Sequence, residues 1–228
     1  MIDMYTVIFR IIQVIRWLIN GKTHVYGQEN IPQDTQFILV APHRTWWDPL
    51  WFAMTLLPRQ FIIMAKKELY KNKAFGWALK KIGVFPVDRN HPGPSAIKIP
   101  VKELRSGTRN FMIFPSGSRH SSKLEGGAVL IAKMSGRSLL PVVYQGPLKF
   151  IGLFRRGSTS VAFGPLIPVP KKADEKEIII SMQKAFSDLD KKIIKIGYIL
   201  ILIRKEQIIM TNKKQIIRSV FLIILLHL

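Results

Sequence analysis

Apolar residues in this chain fall in short unbroken blocks, each closed by Gly, Pro or charged residues, with longer mixed stretches between them. The blocks at 37–40, 61–65, 83–89, 110–114, 139–144 and 158–163 have the length and the Val, Ile and Phe content of buried strands. A further short strand is expected within 21–36. Helices are expected at about 49–57, 66–82 and 95–105, the last kinked by Pro100, and then from Ser121 through Gly127 to Ser135 and over 173–194. Strands alternate with helices and hairpin signals are few. This predicts an α/β fold, a single domain with a largely parallel mixed sheet flanked by helices.

Two stretches break the alternation. Residues 4–19 are apolar but interrupted by Arg10 and Arg16, with Gln13 between them. A spanning helix needs about 20 mostly apolar residues, so the stretch suits a helix lying in a membrane interface, its arginines reaching toward headgroups. A first helix packed on the core is the alternative. From about Lys191 the composition shifts to Ile, Leu and Lys. The apolar runs 199–203 and 216–226 are each too short to cross a bilayer. An interfacial basic tail, a helix packed on the domain and sequence beyond a frameshift all remain open for this region. The organisation expected is a membrane-associating helix at 1–20, the α/β domain at 21–192 and a basic, apolar tail at 193–228.

Charge narrows the partners. The 228 residues carry a formal net charge of +21 and contain no cysteine, which excludes disulfide frameworks and thiolate chemistry. So basic a chain seeks polyanions, and its positive mean hydropathy of +0.16 favours an anionic membrane surface over nucleic acid. Aromatic residues sit mostly in apolar runs rather than among the basic ones, so no nucleic-acid partner is expected.

The candidate chemistry lies just after the strand at 37–40, in Ala41-Pro-His43-Arg-Thr-Trp-Trp-Asp48-Pro49. A histidine serves as a general base when a neighbour fixes its tautomer, and a carboxylate is the usual partner. An offset of five suits a strand end turning into a helix, with Asp48 as N-cap and Pro49 at the first helical position. Trp46 and Trp47 read as core packing. Two other strand ends are polar: Asp88-Arg89, and Ser116-Gly117-Ser118-Arg119. In a parallel sheet the C-terminal strand ends share one edge, where such loops converge. Gly117 allows close backbone approach to an anion, and Arg119 offers a planar fork suited to phosphate. Taken singly, each residue has an ordinary explanation as a turn or a solvated charge. Their conjunction at successive strand ends suggests a base poised over a hydroxyl of a phosphorylated substrate.

These residues resemble the glycerophospholipid acyltransferases, and most closely the bacterial 1-acyl-glycerol-3-phosphate acyltransferases. His43-Arg-Thr-Trp-Trp-Asp48 is similar to that family's first motif, and Gly83 to Arg89 to its second. Phe114-Pro-Ser-Gly-Ser-Arg119 is similar to the third, and Leu140-Pro141-Val142 to the short apolar fourth. The third motif departs from the family's pattern, because Ser116 stands where a Glu is usual. That puts the contact to the acceptor's glycerol in question.

The resemblance implies acyl transfer without a cofactor or a covalent enzyme intermediate. His43, held by Asp48, takes the proton of the free hydroxyl of lysophosphatidate, and the oxygen attacks an acyl thioester of acyl carrier protein or coenzyme A. Arg119 and Gly117 hold the acceptor phosphate with help from Arg89, Ser116 and Ser118 border it, and Pro141 lines an acyl path. The expected location is the cytoplasmic face of the cell membrane. Glycerol-3-phosphate or another lysophospholipid is the alternative acceptor, and a basic membrane-surface or nucleic-acid-binding protein is the alternative of a different class.

Overall fold

The apolar blocks form the sheet that their pattern predicts. The computed structural model describes residues 4–88, 91–116, 124–157 and 159–226, with side chains described to Ile199 and at Leu202. The chain divides into two compact units, Met1–Leu189 and Asp190–Leu228. The first unit holds a seven-stranded sheet: β1 (His24–Tyr26), β2 (Ile38–Val40), β3 (Phe61–Lys66), β4 (Val84–Val87), β5 (Asn110–Ile113), β6 (Leu139–Gln145) and β7 (Ser160–Phe163). Its spatial order is β1-β7-β6-β2-β5-β3-β4. Neighbouring strands from β6 through β2, β5 and β3 to β4 are parallel. β7 is antiparallel to β6 and parallel to β1, so the last two strands reverse the direction. The sheet is therefore mixed and largely parallel.

Helices α1 (Met4–Asn20), α2 (Asp48–Thr55), α3 (Lys73–Lys81), α4 (Ser95–Ser106) and α5 (Gly127–Ser135) fall between or before the strands, and α6 runs over Glu175–Leu226. β2 shows why the centre of the sheet is apolar throughout: Ile38, Leu39 and Val40 are all fully buried, as expected for a parallel strand covered on both faces. One core cluster gathers Phe37, Phe52, Phe61, Met112, Leu140 and Phe163 with Tyr5 and Phe9 of α1.

The stretch expected as one helix over 66–82 is divided. β3 runs out to Lys66, a 3-10 turn covers Lys67–Tyr70, and α3 starts only after Asn72, whose side chain accepts a hydrogen bond from Phe75 N at 3.0 Å. The Tyr70 hydroxyl donates to the Val84 carbonyl at 2.8 Å and ties the turn to β4. An Asn cap and a tertiary hydrogen bond thus prevail over continuous helical spacing. α4, by contrast, continues through a buried Pro100.

α1 is packed on the core along one face and exposed along the other. Tyr5 and Phe9 are buried, Ile12 packs against the same core, and Gln13 donates to the Met54 carbonyl of α2 at 3.4 Å. Val7, Ile11, Val14, Ile15 and Leu18 remain exposed. Arg16 does not reach outward. It turns back to the Gly21 carbonyl at 3.1 Å and to the Thr23 hydroxyl, and its burial lowers its pKa from the ordinary arginine value. Among the described residues no helix is long and apolar enough to cross a membrane.

Candidate active site

His43 stands three residues beyond β2, and its position follows from strand register. Val40 pairs with Ile113 and with Pro141, Ile63 with Met112, and Lys66 with Val87. Counting on from those pairs puts Tyr144, His43, Ser116, Lys67 and Asp88 at one level along the C-terminal edge. With adjacent strands about 4.8 Å apart, Ser116 is one strand from His43 and Asp88 is three strands, or about 14 Å, away. The C-terminal ends of these parallel strands thus share one edge, as expected, with Ser116 near His43 and Asp88 well apart from it.

The loop between β2 and α2 is folded around Asp48. The carboxylate is wholly buried, and its Oδ2 accepts from the amides of Arg44 and Thr45, each at 2.7 Å, while the Thr45 hydroxyl donates to Oδ1. His43 Nδ1 lies 3.3 Å from Oδ2, with the His43 side chain 13% exposed. A carboxylate accepts only, so the imidazole carries its proton on Nδ1 and presents Nε2 as the basic nitrogen. Asp48 is not the N-cap expected from its neighbour Pro49. It is the first residue of α2, the N-cap is Trp47, and no side chain caps the helix. The carboxylate instead reaches back to amides of the incoming loop, while its charge remains favourably placed at a helix N-terminus.

The imidazole is also braced through its face. The Phe114 ring, just beyond β5, lies 4.3 Å from it at 31°, and Phe52 of α2 stacks behind Phe114 at 6.4 Å. On the other side, Arg44 Nη1 donates to the Tyr144 carbonyl at 2.8 Å, and Trp47 Nε1 donates to the Tyr144 hydroxyl at 3.3 Å. Burial pushes the Tyr144 pKa up, so its hydroxyl stays protonated. Arg44, Thr45, Phe114 and Tyr144 escaped the sequence reading as site residues. Only Thr45, three positions before an acid, carries a local signal of its role. Phe114 and Tyr144 are brought in by tertiary contacts, while Arg44 adjoins His43 in sequence and reaches Tyr144 with its side chain. Of the two tryptophans read as core, Trp47 is buried but Trp46 is 60% exposed.

Ser116, one strand over by register, is buried. At the far end of the edge, Lys67 Nζ pairs with Asp88 Oδ2 at 2.5 Å, and the hydrogen bond and charge of Asp88 raise the Lys67 pKa. Arg89, Gly117, Ser118 and Arg119 lie outside the described residues. Pro141 is not brought to the edge. It is buried within β6 opposite Val40, three residues short of the level of His43, and its carbonyl accepts from Gly164 N at 2.8 Å. An open groove of about 600 Å³ lined by Gln36, Arg59, Arg109 and Asn110 lies at the opposite, N-terminal edge, away from His43. Among the described residues no group of three His, Asp or Glu side chains is placed to hold a metal ion.

A buried carboxylate orienting a histidine, on the C-terminal edge of a parallel sheet, is an arrangement able to take a proton from a hydroxyl. The family model described as Acyltransferase matches residues 22–145, and the chain belongs to that family. Within it, the chain is 44% identical over 194 residues to the 1-acyl-sn-glycerol-3-phosphate acyltransferase of Streptococcus pneumoniae, covering 82% of this chain and 74% of that one. It is 45% identical over 148 residues to the enzyme of the same name from Bacillus subtilis, covering 64% and 74%. The fold is similar to the crystal structure of the 1-acyl-sn-glycerophosphate (LPA) acyltransferase PlsC from Thermotoga maritima. The TM-score is 0.66 at 22% identity, over 82% of this chain and 78% of that one.

Proposed function

We propose that this protein is a 1-acyl-sn-glycerol-3-phosphate O-acyltransferase, moving a fatty acyl group from a thioester to the free hydroxyl of lysophosphatidate to give phosphatidate. The observation that carries this reading is the His43–Asp48 pair, with Asp48 buried and held by the Arg44 and Thr45 amides. Relatives at 44% and 45% identity bearing that name support it.

Nε2 of His43 removes the proton of the acceptor hydroxyl as its oxygen attacks the thioester carbonyl. The tetrahedral intermediate collapses, the C–S bond breaks, and the leaving thiolate takes the proton back from the imidazolium. Asp48 stabilises that imidazolium while it exists. No cofactor is required, and acyl carrier protein or coenzyme A supplies the thioester. The acceptor phosphate is assigned to Arg119, Gly117 and Ser118 with help from Arg89, on the likeness of their motifs to those of the family. Because Ser116 stands where the family's Glu is usual, glycerol-3-phosphate or another lysophospholipid is kept as the second acceptor.

The exposed apolar face of α1 and the net charge of +21 support residence on an anionic membrane surface, at the cytoplasmic face where thioester donors are at hand. The test is release of free thiol by the purified protein in lipid, supplied with lysophosphatidate and an acyl thioester. Thiol release by wild type and its loss in His43→Ala are expected. Release only with glycerol-3-phosphate would reassign the acceptor, and no release with any acceptor would overturn the enzyme reading.

A further inference from the structure

The chain between β6 and β7 leaves the sheet on the catalytic edge, since β6 continues past Tyr144, which is level with His43, to Gln145. It lies beyond the residues matched by the family model, which end at 145. Instead of a polar loop it presents Leu148, Phe150, Ile151 and Phe154, exposed by 66%, 61%, 79% and 58%. Four large apolar side chains in one short segment are not the scattered surface hydrophobes of an ordinary soluble loop.

The segment is nevertheless firmly built. It contains a 3-10 turn over Phe150–Phe154, with the rings of Phe150 and Phe154 packed edge to face at 5.9 Å. Leu153 points the other way and packs on the core. The segment is also fastened to α1 through Asn20, which is buried. Asn20 Nδ2 donates to the carbonyls of Leu153 and Arg155, each at 2.9 Å, its Oδ1 accepts from the Thr159 hydroxyl at 2.8 Å, and its carbonyl accepts from Gly157 N at 2.7 Å. Arg156 Nη1 adds a bond to the Leu18 carbonyl at 3.1 Å. The exposed tip thus continues the exposed end of α1, where Trp17, Leu18 and Ile19 face outward.

Charge selects the occupant. Lys149, Arg155 and Arg156 flank the tip and are exposed, Lys22 follows α1, and there is no Asp or Glu between residues 4 and 28 or between 126 and 173. A second copy of this surface would set like charges against each other. Apolar side chains ringed by basic ones match the layering of an anionic bilayer, hydrocarbon beneath phosphate.

We propose that the 148–156 segment is a second membrane-inserting element. Phe150, Ile151 and Phe154 enter the acyl region, the basic flanks engage anionic headgroups, and α1 lies in the same interface. This rests on the membrane residence proposed above and deepens it, because two insertion points fix the orientation that a single helix leaves free to roll. The catalytic edge, which carries His43, then faces the bilayer.

The experiment is flotation of the full chain with vesicles of phosphatidylcholine alone or mixed with phosphatidylglycerol, without substrate, so that an inactive protein still reports binding. Ile151→Glu and Phe150→Ser are compared with wild type. Both side chains are exposed, and equal melting curves by circular dichroism establish that the fold is kept. Wild type is expected to prefer the anionic vesicles, and Ile151→Glu to lower its partition coefficient about tenfold, as expected for losing burial of one large aliphatic side chain. Unchanged partition in both variants would overturn the proposal. So would a concentration-dependent dimer of wild type that Ile151→Glu abolishes while vesicle binding persists. Failure of thiol release with normal flotation would count against the enzyme reading alone.

Discussion

Asp48→Asn isolates the charge of the buried acid from its shape. Asparagine fits the same space, its carbonyl oxygen can still accept from the Arg44 and Thr45 amides, and the Thr45 hydroxyl can rotate to accept from the new NH2. His43 Nδ1 keeps an acceptor at the position now 3.3 Å away. What disappears is the negative charge facing the imidazolium that forms when His43 takes the acceptor proton. Charge centres about 4 Å apart attract by about 4 kcal/mol at an effective dielectric constant of about 20. Loss of that stabilisation in the transition state corresponds to a fall of about 10³-fold in kcat. Asp48 is wholly buried, out of reach of a bound substrate, so KM for acceptor and donor should stay within a few-fold. Thiol release under saturating lysophosphatidate and thioester measures both, and a thermal melt checks the fold. Asp48→Asn with kcat within tenfold of wild type and an unaltered melt would refute the role given to the carboxylate. A large rise in KM with unchanged kcat would refute it equally.

Three further outcomes are expected. Thr45→Val removes the hydroxyl donated to Asp48 Oδ1 and leaves a buried acceptor unmet, costing about 1–3 kcal/mol, which differential scanning calorimetry should register as a Tm lowered by several degrees. Gly27→Ala places a Cβ against the Phe163 carbonyl at a residue with φ of +74°, so a loss of about 3 kcal/mol or more and a Tm drop of roughly 6–12 °C are expected by the same method. Ser116→Glu restores the acid usual in the third motif, at a position level with His43. It should lower KM for lysophosphatidate relative to glycerol-3-phosphate in competition assays, and an unchanged ratio would remove Ser116 from acceptor choice.

Parts of the site were legible because they are local. His43 and Asp48 lie within one strand-to-helix turn, so spacing alone brings them together, and the apolar block before them marks the strand that carries them. Phe114 and Tyr144 are 71 and 101 residues from His43 in sequence, and only the pairing of β2 with β5 and β6 makes them its neighbours. Arg16 was misread for a related reason. Its sequence context is amphipathic either way, and it is the turn after α1 that offers the carbonyl and hydroxyl it binds. Pro141, expected to line an acyl path, lies buried inside β6. A Cβ on Gly164 would approach its ring Cγ to 3.0 Å, so a glycine one strand away is what accommodates it.

The sequence by itself determined where the strands and most helices lie, which strands are buried on both faces, and that a histidine and an acid meet at a strand end. Each is a matter of local periodicity, burial or short-range geometry. The tertiary structure alone decided that β7 runs against β6, that β1 completes that margin, and the order in which β6, β2, β5, β3 and β4 bring their C-terminal ends to one edge. It also decided which face of α1 is covered and which stays open beside the 148–156 tip. These depend on pairings between distant segments, and an apolar block pairs equally well in several orders and directions. The choice among them belongs to the packing of the whole chain.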